Sequence, residues 1–443
     1  MPIPRSFGLT RRQFVLSAAA LTGWPWQRML AAEPPRRPRV AAIYTVFHHR
    51  SHAHVLLENF LAPYYFNGQL TDPGVEVVSF YADQRAKQGD MTEDVAGQFK
   101  VRVCKTIEEA LCLGGKELAV DAVLSIGEHG TYPVNKLGQT EYPRKRFFDE
   151  IVAVMRRSKR FVPLFSDKHL SYRWDWAKEM VATAKALGIP FMAGSSVPLA
   201  QRIPPLELQP GAEIVEAVSI HGGGLESYDF HALEVLQSLV EARKGGESGI
   251  ARVTFLQGDG LWRAAAGGQW SKDLAEAAMA AELGTNSASL NSAAGVGRAQ
   301  PHGILLHYHD GLRAMVLKIG SSSTRWNFAC RLKNDPKPRA ARFYVGPWQN
   351  RNLFKALAHA IQQMIHTSRP SYPVERTLLV SGVLDAAMHA RAEGKSLATP
   401  HLEFTYQPVD FRALRERGAS WKIITEDTPE LPGINPNGGK KPG

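Results

Sequence analysis

Residues 39–54 read RVAAIYTVFHHRSHAH, and the change of character inside this stretch decides how the rest of the chain is read. Arg39 to Phe47 is apolar without alternation, as suits a parallel strand buried on both faces. Ser51 can cap a helix running to about Leu61. A strand followed at once by a capped helix opens a βαβ unit, and the turn between them is where such units commonly hold phosphate groups. Here that turn contains no glycine; it carries His48, His49 and Arg50, with His52 and His54 just beyond.

Working outward, strands are predicted at Val75–Tyr81, Ala119–Ile126, Phe161–Phe165 and Pro190–Ala193. Helices are predicted at Lys105–Leu113, Arg144–Ser158 and Trp174–Leu187. This alternation implies a parallel sheet with ligands outside the carboxyl ends of its strands. Residues 39–200 therefore read as a Rossmann-like domain, with Ala62–Gly74 as an insertion. Past Pro204-Pro205 the pattern changes. Strands are expected at Glu213–His221, Arg252–Gln257, Ile304–His309, Leu312–Ile319 and Ala341–Val345, with a helix at Phe230–Arg243. Asp310-Gly311 suits a two-residue hairpin turn. Residues 201–406 thus read as an α+β domain on a mostly antiparallel open sheet, for substrate binding or oligomerisation. It includes a helix at Ser271–Glu282, a mobile loop to Gln300, and amphipathic helices at Leu353–His366 and Leu378–Glu393, which can pack back on the first domain. Residues 407–443 form an extension that is Gly/Pro/Lys-rich and disordered at its end.

The chain has 443 residues, 44% hydrophobic and 21% charged, enough for two cores and without the repeated apolar spans of a multi-pass membrane protein. Of the net charge of +11, six lie in residues 1–39, where seven arginines face only Glu33. The remaining excess shows no basic-aromatic stripe, which argues against nucleic-acid binding. Thr10-Arg11-Arg12-Gln13-Phe14-Val15-Leu16 followed by an apolar stretch resembles a twin-arginine export signal. Residues 1–32 are read as that signal, 33–38 as a linker, and the periplasm as the destination, with no membrane span after signal removal. Cys104, Cys112 and Cys330 form no metal or redox motif.

Three polar loops share one edge of the parallel sheet: His48–His54, Gly127–Gly130 and Ser166–His169. At the first, the helix N-terminus favours an anion that Arg50 could clamp, with Ser51 and His52 beside it. A metal is the less favoured alternative. Two residues apart on a helix is about 200°, so His52 and His54 diverge, and zinc would need His49 or His52 with Glu128, His129, Asp167 or His169. Asp83, ending the second strand, stands where a carboxylate holds a ribose hydroxyl. Lys168 is suited to hydrogen-bond a substrate hydroxyl. In the second half, Asp229 can cap a helix on which His231 and Glu234 share a face, letting Glu234 orient the imidazole.

With these residues assembled, the chain resembles the Gfo/Idh/MocA family (glucose–fructose oxidoreductase, inositol dehydrogenase and relatives) over residues 39–406. Phe161-Val162-Pro163-Leu164-Phe165-Ser166-Asp167-Lys168-His169-Leu170 resembles the segment with the family's Glu-Lys-Pro signature, Lys168 falling on the catalytic lysine, Asp167 replacing Glu and His169 replacing Pro. Tyr228-Asp229-Phe230-His231-Ala232-Leu233-Glu234 resembles the start of the helix bearing the catalytic histidine, which His231 matches. The glycine-rich cofactor loop has no counterpart. The resemblance implies an exported oxidoreductase of a carbohydrate or polyol with tightly bound NAD or NADP. Lys168, His231 and Asp229 would be catalytic, with Arg50, Ser51, His52, Asp83, Glu128, His129, Asp167 and His169 toward the cofactor, in a possible homo-oligomer. The alternatives are a cofactor-independent or metal-assisted lyase, hydrolase or isomerase on the same scaffold, and a non-catalytic sugar-binding protein.

Overall fold

The computed structural model describes residues 36–284, 290, 300–430 and 434. The expected export signal, most of the loop after the Ser271 helix and the end of the tail lie outside the described residues. The first sheet is built from β1 (Arg39–Tyr44), then β4 (Glu76–Ala82) after a small hairpin β2–β3 (Tyr64–Phe66, Gln69–Thr71), followed by β5 (Arg102–Cys104), β6 (Ala122–Ile126), β7 (Leu164–Asp167) and β8 (Phe191–Gly194). Its order is β5-β4-β1-β6-β7-β8 and every pair in it is parallel. That is the doubly wound order of dinucleotide-binding folds. The crossovers carry α1 (His52–Leu61), α2 (Thr92–Phe99), α3 (Ile107–Cys112), α4 (Arg144–Arg157) and α5 (Trp174–Ala186).

Both faces of this sheet are covered, which is why its central strands are largely apolar rather than alternating. Ala41, Ile43, Val123 and Leu164 pack with Phe147, Ile151 and Met180 on one side. Their strand neighbours Ala42, Leu124 and Phe165 belong to the larger core on the other. Two expectations shift here. The insertion after α1 is the β2–β3 hairpin. The strand expected from Phe161 begins at Leu164 and runs through Asp167, which puts Lys168 immediately at its carboxyl end.

The second sheet has the order β16-β11-β12-β13-β10-β14-β15-β9. Its strands are β9 (Gln201–Ile203), β10 (Ile214–His221), β11 (Ile250–Gln257), β12 (His302–Tyr308), β13 (Arg313–Lys318), β14 (Trp326–Leu332), β15 (Asp335–Tyr344) and β16 (Leu397–Ala398). Only β10–β13 is parallel. Helix α6 (Ser227–Val240) packs on β10, while α7 (Asp259–Ala266) and α8 (Lys272–Leu283) follow β11. The β12–β13 connection is three residues, not two: the Tyr308 N–H donates to the Leu312 carbonyl, and Gly311 takes φ 90°, the left-handed position of a bulged hairpin. The last long helices, α9 (Asn350–Thr367) and α10 (Val374–Glu393), pack against α1 and against α5 and β8 respectively. No described helix is long and apolar enough to cross a membrane.

Candidate active site

The carboxyl ends of β1, β6, β7 and β8 face the start of α6 and the end of β15 across a cavity of about 430 Å3. Arg50, His52, Glu128, His129, Lys168 and His231 all line it. Lys168 is buried, and its Nζ donates to the Ser227 carbonyl at 3.1 Å and lies 3.5 Å from Glu128 Oε1. The other oxygen of Glu128 accepts from Arg144 Nη2 at 2.6 Å. Burial pushes the Glu128 carboxyl up, but Lys168 and Arg144 outweigh it and hold the group below the ordinary carboxylate range. Arg144 also donates to His169 Nε2 at 3.0 Å. His169 is pushed well below the ordinary imidazole value by burial and then by Arg144. It is a neutral acceptor behind the cavity, not a residue of its wall.

His52 and His54 do diverge. His52 Nδ1 lies 2.6 Å from Asp167 Oδ2, an Asp–His pair whose imidazole reaches the cavity. His54 turns back, its Nδ1 accepting the Arg50 N–H at 2.8 Å, and burial, with Arg351 next, lowers it to about 2. His129 is lowered to about 4 by burial and by His52, and its Nε2 is buried without a hydrogen-bond partner.

From α6, His231 Nδ1 meets Ser195 Oγ at 2.6 Å. Its pKa falls well below the ordinary value through burial and the Lys168 charge. Tyr228 and Trp326 stack at 5.1 Å, and Trp326 meets the His231 ring edge-on at 5.4 Å, giving the cavity a flat apolar wall.

Several expected roles are corrected. Glu234 does not orient His231. It accepts from Thr377 Oγ1 at 2.7 Å and packs so closely on Gly194 that a Cβ there would lie 3.1 Å from Glu234 Oε2. Asp229 is not the helix cap but the third helical residue, in a capping box with Glu226. It is fully buried, takes His221 Nε2 and His302 Nε2 on one oxygen at 2.9 and 2.8 Å, and is not among the residues lining the cavity, so it has no catalytic contact there. His221, Asp229 and His302 are the one group among the described residues close enough to share a cation; the combinations considered around His49 and His52 do not converge.

The anion clamp at α1 is also differently engaged. Arg50 donates to Glu430, to the Trp348 carbonyl at 3.3 Å and to Asn350 Oδ1 at 3.3 Å. Ser51 is buried, its Oγ accepting from the N–H groups of His48 and His54. Asp83 accepts from Tyr81 at 2.9 Å, Tyr132 at 2.8 Å and Arg146. A carboxylate so occupied does not hold a ribose in this arrangement.

Four residues lining the cavity, Arg50, His129, Lys168 and Gln349, have left-handed backbones with φ of 61°, 70°, 70° and 54°. Such conformations cost a non-glycine residue roughly 1–3 kcal/mol each. Sequence reasoning missed Gln349, as it missed Ser195 as a partner, Tyr228 and Trp326. Of these only Ser195 carried a signal, its place at the end of a predicted strand.

No protein-family model and no curated protein matches this chain. Solved structures do. GenD2 from gentamicin A biosynthesis, in complex with NAD, is 14% identical with a TM-score of 0.53, over 82% of this chain and 96% of that one. Myo-inositol 2-dehydrogenase from Lactobacillus plantarum is 10% identical with a TM-score of 0.49, over 82% and 99%. A myo-inositol dehydrogenase from Corynebacterium glutamicum is 13% identical with a TM-score of 0.49, over 82% and 98%. The GenD2 likeness shows a shared two-domain fold, the fold that the Gfo/Idh/MocA resemblance implies.

The Gfo/Idh/MocA resemblance implies a nicotinamide dinucleotide, whose contacts would have to be redistributed here. A second cavity, lined by His48, Gln84, Arg85, Lys87 and Gly130, lies on the far side of the edge-to-face pair His48–His129. Phosphates placed there would meet the His48 imidazole and the basic Arg85 and Lys87 rather than a glycine loop's N–H groups.

Proposed function

We propose that this chain is an exported oxidoreductase of a carbohydrate or related polyol, using NAD or NADP held in the cleft. The observation that carries the reading is the pair of buried groups, Lys168 and His231, lining one cavity at the carboxyl edge of a sheet in dinucleotide-binding order. The GenD2 structure, which holds NAD in the same fold, supports the cofactor. The twin-arginine segment at residues 1–32 supports export to the periplasm, and the broad open sheet supports a homo-oligomer.

Hydride acceptance is the chemistry that a bound nicotinamide supplies. The chain's own groups manage the proton and the geometry. Lys168, steered by Ser227 and Glu128, donates a hydrogen bond to the substrate hydroxyl and stabilises the alkoxide character that develops as its proton leaves. His231 is neutral, and with Nδ1 engaged by Ser195 its Nε2 is the position to receive that proton. Trp326 and Tyr228 offer the apolar face of a sugar ring a surface and exclude water beside it. Native mass spectrometry of the mature protein, followed by denaturation, is expected to release a nicotinamide dinucleotide. A clean apo protein that binds neither NAD nor NADP would refute the cofactor.

One observation favours a second reading, a cofactor-independent proton-transfer enzyme such as a lyase or isomerase. The His52–Asp167 pair gives the cavity a further oriented imidazole, which a hydride-transfer site does not require. Activity that survives complete removal of nucleotide would select it.

A further inference from the structure

A separate cavity of about 220 Å3 lies between β9, the end of α6 and the segment 408–415, and shares no lining residue with the cleft. Its wall is mostly apolar, with Leu208, Leu239, Val409 and Phe411, but Arg202 and Arg415 also line it. Both arginines are buried, and the Nε of each is buried without a hydrogen-bond partner.

The nearby carboxylates are committed elsewhere. Glu241 is held by both arms of Arg376 at 2.9 and 2.7 Å, and Asp410 by Arg412. Arg243 is satisfied by Asp310 at 2.6 Å and Glu247 at 3.1 Å. Glu207, itself 43% exposed, serves Arg415 and reaches Arg202 only at 3.8 Å. What Arg202 has close by is the Leu206 carbonyl at 2.9 Å and the Phe343 ring at 5.4 Å. Among the described residues the two buried guanidinium groups thus share a single, half-exposed carboxylate.

A cation taken out of water needs an anion or it destabilises the fold. We propose that this cavity is a binding site for a small organic anion, a carboxylate or phosphate head on a short apolar body. The head would meet the free edges of Arg202 and Arg415, since a planar guanidinium is matched to such groups. The body would lie along Leu208, Leu239, Val409 and Phe411. Burial and the neighbouring Arg415 lower the Arg202 pKa to about 9, consistent with two cations sharing one carboxylate.

The test is calorimetric titration of the full mature chain with hexanoate, inorganic phosphate and, as a charge control, hexylamine. Hexanoate is expected to bind saturably at one site, more tightly than phosphate, and hexylamine not at all. Arg202→Met should weaken hexanoate by about tenfold or more, the worth of a charge-assisted hydrogen bond. Because it removes one of two buried cations that share a carboxylate, it should melt no lower than the parent. Val409→Trp, which fills the mouth while leaving both arginines, should also abolish binding and guards against a folding defect in the first variant. Hexanoate that fails to saturate by about 10 mM, or that binds Arg202→Met as well as the parent, overturns the site. Phosphate binding as tightly as hexanoate overturns the apolar body.

Discussion

The loops after β1 and after β7 stand on the same edge of the same sheet, yet they treat their polar groups in opposite ways. After β1, the Arg50 N–H is taken by His54, the Ser51 N–H by the His48 carbonyl, and the Arg50 side chain by Glu430. After β7, Lys168 stands on the cavity wall, with Glu128 from the β6 loop and Ser227 from α6 steering it. A loop whose donors are satisfied internally offers a ligand little, whereas one that holds a charge against a cavity offers a reacting group. Of the β1 side, His52 still reaches the cavity, but the lysine it presents comes from β7 and is steered from β6 and the facing helix.

The largest expected effect is Lys168→Met. Once a substrate is in hand, kcat should fall by about 10²–10⁴-fold, with some loss of stability because the buried Glu128 then keeps only Arg144; retention of a tenth of the activity would shift the weight to His52. Next comes Arg144→Met, which leaves the buried Glu128 carboxylate with Lys168 alone. Urea denaturation should show a loss of about 3 kcal/mol, and a loss under 1 kcal/mol would mean that the β7 side is as self-sufficient as the β1 side.

A third experiment uses Glu226, whose carboxyl burial raises to about 7. An acid with a raised folded pKa keeps its proton longer when folded, so its stability contribution is complete below about pH 4.5 and is lost as the pH rises to about 7. Glu226→Gln should remove that fall, a difference of about 1–3 kcal/mol between pH 4.5 and 7; parallel stability curves for variant and parent would rule it out. Glu234, also raised to about 7 by burial, titrates in both proteins and cancels. The smallest effect belongs to Glu430→Gln. Its pair with Arg50 is about a quarter exposed on each side, so the melting midpoint should move by no more than about 1 kcal/mol in equivalent stability. A larger drop would make the tail a structural part of the β1 loop.

The parallel sheet was legible because burial on both faces writes short apolar runs without alternation, as in residues 40–44 and 122–124. β14 was not, because Trp326-Asn327-Phe328-Ala329-Cys330 carries neither a clean alternation nor a turn signal, and its pairing with β10 is set by distant packing. In the site, Lys168 and His231 stood out by position. The assignments of Asp83, Asp229 and Glu234 failed for a common reason: each carboxylate finds a partner remote in sequence or on another strand, namely Arg146, His302 and Thr377. Local spacing has no access to such competitors. The Arg50–Glu430 contact, across 380 positions, lay beyond any such reading.

The left-handed backbones at Arg50, His129, Lys168 and Gln349 bear on anyone who evolves this protein for robustness. Glycine relaxes the backbone at such a position, so a screen for thermal tolerance will favour glycine first at those of the four whose side chains anchor no buried charge. The most heat-resistant clones would then be those whose cleft had lost its side chains, and a stability screen run without an activity filter would trace the outline of the active site by erasing it.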